Sequence, residues 1–217
     1  MIPTIIVDNF FTNPNKVLEI YKNCQFGTAG DGSWPGERSK PLHETHFEFF
    51  QFLHKKIFTI IYPGDHEFFD YNATTHFQRV NGDKYFNEGW VHNDPNEITA
   101  IVYLSEHENC GTSFWERKEY QELIHIDKKE QVYLNKLSFD EEKKFLEENN
   151  NQFKKNLDVN SKFNRLILFD AKKFHSANSF YDEKIKGPRL TLITFIDTLN
   201  IRGKTLKSPI LENLRID

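Results

Sequence analysis

The sequence predicts a mainly β fold with flanking helices, and three observations carry that expectation. Long β-branched apolar runs occur at Ile98–Ser105, Arg165–Asp170 and Arg189–Asp197, with the length and residue choice of buried strands. Helical spacing is confined to residues 13–61 and to a charged stretch between Glu116 and Ser161. Aromatic residues make up 15% of the 217-residue chain, with 21 Phe, so bulky apolar groups are plentiful enough to fill a sheet sandwich. A single domain is expected at this length, which all-β units commonly reach.

The N-terminal support, residues 1–73, opens with a short strand at Thr4–Val7. Asn13 ahead of Pro14 gives an N-cap and a first-turn proline, and Val17, Ile20, Tyr21 and Cys24 recur at helical spacing. The loop Trp34-Pro35-Gly36-Glu37-Arg38-Ser39 offers an aromatic ring, two opposite charges and a hydroxyl, as a surface turn or a substrate contact. A second helix is expected over Leu42–Ile61, with His46, Phe50, Leu53, Ile57 and Ile61 on one stripe and Pro63-Gly64 as its stop.

Residues 74–115 and 162–199 read as the strand-rich core. Phe77–Val80 leads through Asn81-Gly82-Asp83 to Lys84-Tyr85-Phe86, a strand and turn. Trp90–Asn96 ends in turn residues before the Ile98 strand, and Gly111–Trp115 resumes an extended run. Between Glu116 and Ser161 the composition shifts to Lys, Glu, Asn and Gln, which predicts a helical insertion over 116–161. Ser138-x-x-Glu141 is a capping box, and Phe139, Phe145, Leu146, Phe153 and Leu157 form a thin apolar stripe beyond it. The tail from Asn200 is expected to lie on the surface.

The chemistry concentrates in four residues: His92, Asp94, His175 and Arg189. Two imidazoles and one carboxylate on one face of a non-haem Fe(II) leave its other positions open. In His92-x-Asp94 the side chains are two residues apart, so extended backbone points both the same way. His175 follows the strand at Arg165–Asp170 and Arg189 opens the next apolar run, which predicts the third ligand and the arginine on neighbouring strands. A second H-x-D, His125-Ile126-Asp127, has no turn and no apolar strand behind it and reads as a solvated surface pair. His43, His46, His54, His66, His76 and His107 lack a matching ligand set, although His43 and His46 are spaced for one helix face.

Several classes are disfavoured. A net charge of −4 with no basic stripe argues against nucleic acid and anionic membranes. Two cysteines, Cys24 and Cys110, are too few for a disulfide framework and point to a reducing, cytoplasmic setting. Met1–Asp8 lacks the features of a signal peptide, and no apolar stretch of about 18 residues spans a membrane.

His92-x-Asp94, Tyr103-Leu104-Ser105, Gly111-Thr112-x-Phe114, Phe169 ahead of His175, and Arg189 together resemble the Fe(II)/2-oxoglutarate-dependent oxygenases, nearest the prolyl-hydroxylase-like branch. The resemblance covers residues 74–115 and 162–198. Ile6-Val7-Asp8-Asn9-Phe10-Phe11 and Pro35-Gly36-x-Arg38-Ser39 are also similar to a bacterial and phage set within that superfamily. What this implies is a double-stranded β-helix, a cupin-like jelly roll with iron inside one end and helices buttressing one sheet. His92, Asp94 and His175 would ligate Fe(II), Arg189 would pair with the distal carboxylate of 2-oxoglutarate, and Tyr103 would add a hydroxyl there. The implied reaction is a dioxygenase hydroxylation of an unactivated C–H bond, consuming O₂ and releasing succinate and CO₂. Its substrate would be a protein side chain, prolyl included, or a small molecule. Arg38, Arg79, Trp90, Trp115 and Asn178 are the candidate substrate contacts. The competing reading is a metal-binding jelly roll with a binding or structural role and no turnover. The fourteen-residue step from His175 to Arg189 and the stretch at 116–161 depart from the branch around the site mouth, so substrate class does not carry over.

Overall fold

A computed structural model describes residues 2–62, 69–82, 88–118, 126–134 and 136–201. Along the chain lie β1 (Ile5–Val7), α1 (Pro14–Lys22), β2 (Phe26–Thr28), β3 (Glu37–Ser39), α2 (Leu42–Thr45) and α3 (Phe47–Ile61). There follow β4 (Phe69–Val80), β5 (Ile98–Tyr103), β6 (Thr112–Arg117), α4 (Ile126–Tyr133), α5 (Phe139–Asn150), β7 (Phe153–Val159), β8 (Arg165–Asp170), β9 (Phe174–Ala177) and β10 (Arg189–Ile201).

The strands form two antiparallel sheets, a seven-stranded one in the order β1-β8-β5-β10-β4-β3-β2 and a three-stranded one in the order β7-β6-β9. From β4 onward the chain passes back and forth between them. β4, β5, β8 and β10 belong to the large sheet, whereas β6, β7 and β9 belong to the small one, which a bridge between His92 and His175 extends. This alternation is the double-stranded β-helix.

Side-chain alternation explains why the central strands read as unbroken apolar runs. Ala100 and Val102 of β5 and Leu166 and Leu168 of β8 pack toward the helices with Leu42, Leu53, Ile57 and Phe77. Ile101, Tyr103, Ile167, Phe169 and Ile193 face the barrel interior with Phe114. Strands buried on both faces have no solvent side to mark with polar residues.

Three sequence expectations need correction. The helix expected over Leu42–Ile61 is two helices, because the backbone breaks at His46, with φ −142° and ψ 59°. His43 and His46 therefore share no helix face. Second, Phe153–Val159 is not helical: it is β7, paired with β6 from Thr112↔Val159 to Arg117↔Phe153. An outer strand with one face in solvent tolerates Lys, Asn and Asp, and its composition then mimics an exposed helix. The described residues of 116–161 thus hold the end of β6, the helices α4 and α5, and β7 of the small sheet. Third, His175 on β9 and Arg189 on β10 lie in opposite sheets, facing across the barrel instead of side by side.

Smaller features follow the sequence more closely. α1 starts at Pro14 as expected, though the Asn13 side chain makes no capping bond, and Cys24 lies beyond its end. The Ser138–Glu141 capping box forms with both reciprocal hydrogen bonds. Pro63-Gly64, His66, Lys84–Phe86, His125 and residues 202–217 lie outside the described residues.

Candidate metal centre

The site begins with a short backbone clasp. His92 N–H donates to the His175 carbonyl at 3.0 Å and His175 N–H returns a bond to His92 at 2.7 Å, which sets the imidazole rings 4.6 Å apart. Two residues on, Asp94 N–H donates to the Ala171 carbonyl at 2.9 Å, so its carboxylate swings in beside both rings. His92 Nε2 lies 3.6 Å from Asp94 Oδ1, and His175 Nε2 lies 3.4 Å from Asp94 Oδ2. One ligand atom from each residue falls within 4.8 Å of the others.

Both imidazoles are fixed in tautomer by groups that can only accept. His92 Nδ1 is 2.8 Å from the Trp90 carbonyl, and His175 Nδ1 is 2.8 Å from the Lys173 carbonyl. Each Nδ1 must carry the proton, which leaves each Nε2 with a free lone pair aimed at Asp94. Thr99 Oγ1 donates to Asp94 Oδ2 at 3.0 Å and is itself held by Asn96 Nδ2 at 3.0 Å. Burial pushes the His92 imidazole well below its usual value, helped by the Lys129 and His175 charges. For Asp94, burial would raise the carboxyl, but the adjoining His175 and His92 imidazoles and the Thr99 hydroxyl outweigh it and hold it below the usual range. Neutral imidazole beside ionised carboxylate is the protonation state a divalent cation requires.

Arg189 is buried on the opposite wall, only 5% exposed. Its Nε donates to the Cys110 carbonyl at 2.5 Å and its Nη2 to the Gly111 carbonyl at 3.4 Å, while the rings of Tyr103 and Phe180 flank it at 5.6 and 5.7 Å. Among the described residues no carboxylate pairs with it. Gly111 is needed at this point because a Cβ there would collide with the Val159 carbonyl and the Ser161 nitrogen, prising β6 from the end of β7.

His92, Asp94, His175 and Arg189 share one cavity of about 390 Å³. Of the candidate substrate contacts, the cavity takes Arg38 and Trp90. Arg79 instead pairs with Glu37 at 2.7 Å and stacks on Phe26. Trp115 donates to Ser176 Oγ at 3.0 Å and carries Lys155 over its ring, and Asn178 Oδ1 accepts from Ser113 at 2.8 Å. None of these three lines the cavity. Tyr103 is also set back from it: its hydroxyl bonds Thr112 Oγ1 at 2.8 Å, and Thr112 reaches the cavity in its place. Sequence reasoning missed Lys129, Tyr133, Gln78 and Phe195, which complete the walls. Lys129 and Tyr133 sit in a stretch of lysines and glutamates where nothing local distinguishes them.

The family of unknown function DUF6445 matches residues 2–196. The chain belongs to that family. No curated protein matches it in sequence. Among solved structures, this DUF6445 chain shares its fold with HygX from Streptomyces hygroscopicus with nickel, 2-oxoglutarate and hygromycin B bound, at a TM-score of 0.55 and 12% identity over 93% of this chain and 84% of that one. EvdO2 from Micromonospora carbonacea var. aurantiaca, complexed with 2-oxoglutarate, aligns at a TM-score of 0.51 and 8% identity over 95% of this chain and 91% of that one. The DUF6445 chain thus has the jelly-roll fold of HygX and EvdO2.

Proposed function

We propose that this protein is an Fe(II)- and 2-oxoglutarate-dependent dioxygenase that hydroxylates a C–H bond of a small molecule or a protein side chain. The observation that carries the reading is the facing pair of sites: two Nε2 lone pairs and a carboxylate on one wall, and on the other a buried arginine with no carboxylate partner among the described residues. A nitrogen–nitrogen–oxygen donor set suits Fe(II), and an unpaired buried guanidinium suits a dicarboxylate of which one end lies on the metal. HygX and EvdO2, which share the fold, bind 2-oxoglutarate.

His92, Asp94 and His175 would hold the iron, and Arg189 would hold the distal carboxylate of 2-oxoglutarate. With O₂, iron and 2-oxoglutarate held there would supply the oxidising chemistry for C–H hydroxylation, with succinate and CO₂ as the coproducts. The chain's own residues bind and orient. Thr99 and Asn96 fix the Asp94 carboxylate, and the Trp90 and Lys173 carbonyls keep both rings turned inward. Trp90 and Ile193 line the cavity with apolar surface that excludes water from the reacting end. Unpaired Cys24 and Cys110 agree with a reducing, cytoplasmic setting, and no described helix is long and apolar enough to cross a membrane.

Uncoupled turnover needs no knowledge of the substrate. Supplied with Fe(II), 2-oxoglutarate and O₂, the protein should form succinate, and His92→Ala, Asp94→Ala and His175→Ala should each abolish this while losing most affinity for Ni(II) in anaerobic calorimetry. Full activity in Asp94→Ala would remove the proposed triad. Tight metal binding without 2-oxoglutarate binding or turnover would favour the structural reading instead.

A further inference from the structure

Two more cations enter the cavity, and the oxygenase chemistry uses neither. Arg38, on β3, is clamped between Trp34 and Phe195, its guanidinium carbon 4.6 and 5.0 Å from the two ring centres. Among the described residues its one polar contact is a weak one, Nη2 to Gln78 Oε1 at 3.4 Å, and its Nε is buried with no hydrogen-bond partner. Lys129 reaches the same cavity from α4. The loop bearing Trp34 and the helix bearing Lys129 are packed together, since a Cβ on Gly32, at φ +77°, would collide with the Glu130 carbonyl. Both cations are thus held by one wall.

Neither has a carboxylate within ion-pair distance among the described residues. Asp94 is the carboxylate whose field both feel, and Asp94 belongs to the proposed metal set. Asp197, the other carboxylate lining the cavity, is exposed. Burial pulls Arg38 down to about 10 and Lys129 below its ordinary value, so both charges lose hydration. Buried, under-bonded cations stand as a standing cost unless a ligand answers them.

We propose that the substrate of this site carries an anionic group, carboxylate or phosphate, that docks between Arg38 and Lys129 while its reactive carbon extends toward the His92–Asp94–His175 end. The orphaned Nε and the adjacent Nη2 edge would supply a two-pronged contact to two oxygens of the anion, and Lys129 a further point charge beside them. The aromatic clamp holds the fork in place before the ligand arrives. This rests on the oxygenase reading for what happens to the substrate, whereas the anion site itself needs no metal.

The test separates the two. Metal-free protein is titrated with inorganic phosphate and with acetate at constant ionic strength, following the fluorescence of Trp34 beside Arg38, and 2-oxoglutarate affinity is measured separately on Ni(II)-loaded protein without O₂. Wild type should bind at least one anion saturably, and the stronger of the two identifies the group. Arg38→Gln and Lys129→Gln should each weaken that binding by about tenfold, the loss of one charge-assisted contact. Arg38→Lys should recover part of it, and all three should keep 2-oxoglutarate affinity near wild type. Arg189→Gln should show the reverse pattern. Anion binding unchanged in both Gln variants, anion binding lost only in Arg189→Gln, or no saturable binding in wild type would each overturn the proposal. Loss of 2-oxoglutarate in Arg38→Gln would overturn it too, by making Arg38 the cosubstrate anchor. Anion binding that depends on Arg38 in a protein that binds no 2-oxoglutarate would support the anion site and overturn the oxygenase reading.

Discussion

Arg189 shows how a single residue's surroundings assign its work. A guanidinium with two backbone carbonyls below it and two aromatic rings beside it is positioned but not neutralised. Arg189→Ala should leave Ni(II) affinity nearly unchanged and weaken 2-oxoglutarate by about 3–5 kcal/mol, the loss seen when one partner of a buried ion pair is removed. Arg189→Lys should recover only part, because an ammonium lacks the planar fork. Anaerobic titration of the metal-loaded protein measures both, and an unchanged affinity in the alanine variant would take Arg189 out of the site. Tyr103 behaves differently: its hydroxyl is committed to Thr112, so it supports Arg189 by packing.

Among the elements, α5 holds the segment that leads into the proposed metal ligands. Gly89–Val91 precedes His92 outside any named strand, and its backbone is satisfied by side chains from the end of α5. Val91 N–H donates to Asn150 Oδ1 at 3.0 Å, Asn150 Nδ2 donates to the Gly89 carbonyl at 3.1 Å, and Asn149 Nδ2 to the Val91 carbonyl at 3.2 Å. Asn150→Ala should therefore cost about 1–3 kcal/mol in urea unfolding, the penalty for stranding buried backbone groups, and should weaken Ni(II) binding through His92. Wild-type stability in this variant would mean that water replaces the amide. A larger change follows from β7. Replacing residues 118–160 by a short linker removes both asparagines and the outer strand paired to β6, so the expected result is loss of the cooperative fold. A soluble, Ni(II)-binding product would show that β6 and β9 hold together alone.

For the molecule as a whole, a buried histidine that does not line the cavity ties stability to pH. His54, fully buried on α3, bonds Thr75 Oγ1 at 2.9 Å through Nε2, and burial, with the His43 charge, pushes it down to about 3. The unfolded chain takes up a proton near pH 6.5 while the folded protein does not. Its contribution is therefore intact above about pH 6.5 and falls by about 1.4 kcal/mol per unit as the pH drops toward 3. His54→Phe should remove this dependence without orphaning Thr75, which also bonds Thr194 at 3.0 Å. Between pH 6.5 and 5, wild type should lose about 2 kcal/mol more than the variant in urea unfolding. Parallel pH profiles would show that His54 is protonated in the folded state.

The central strands and the proposed ligands were legible because their signals are local. Strands buried on both faces must be apolar at every position, and two ligands on one extended segment must be two residues apart, so β5, β8, β10 and His92-x-Asp94 announce themselves in the chain. β7 did not, because an outer strand with one solvated face has no composition of its own. The partition of His175 and Arg189 between opposite sheets, the clasp of Asn149 and Asn150 on Gly89–Val91, and the entry of Lys129 into the cavity with Arg38 were decided only by tertiary structure. Each joins residues some 60 to 90 positions apart, or sets near neighbours on opposite walls, and only barrel closure fixes such distances.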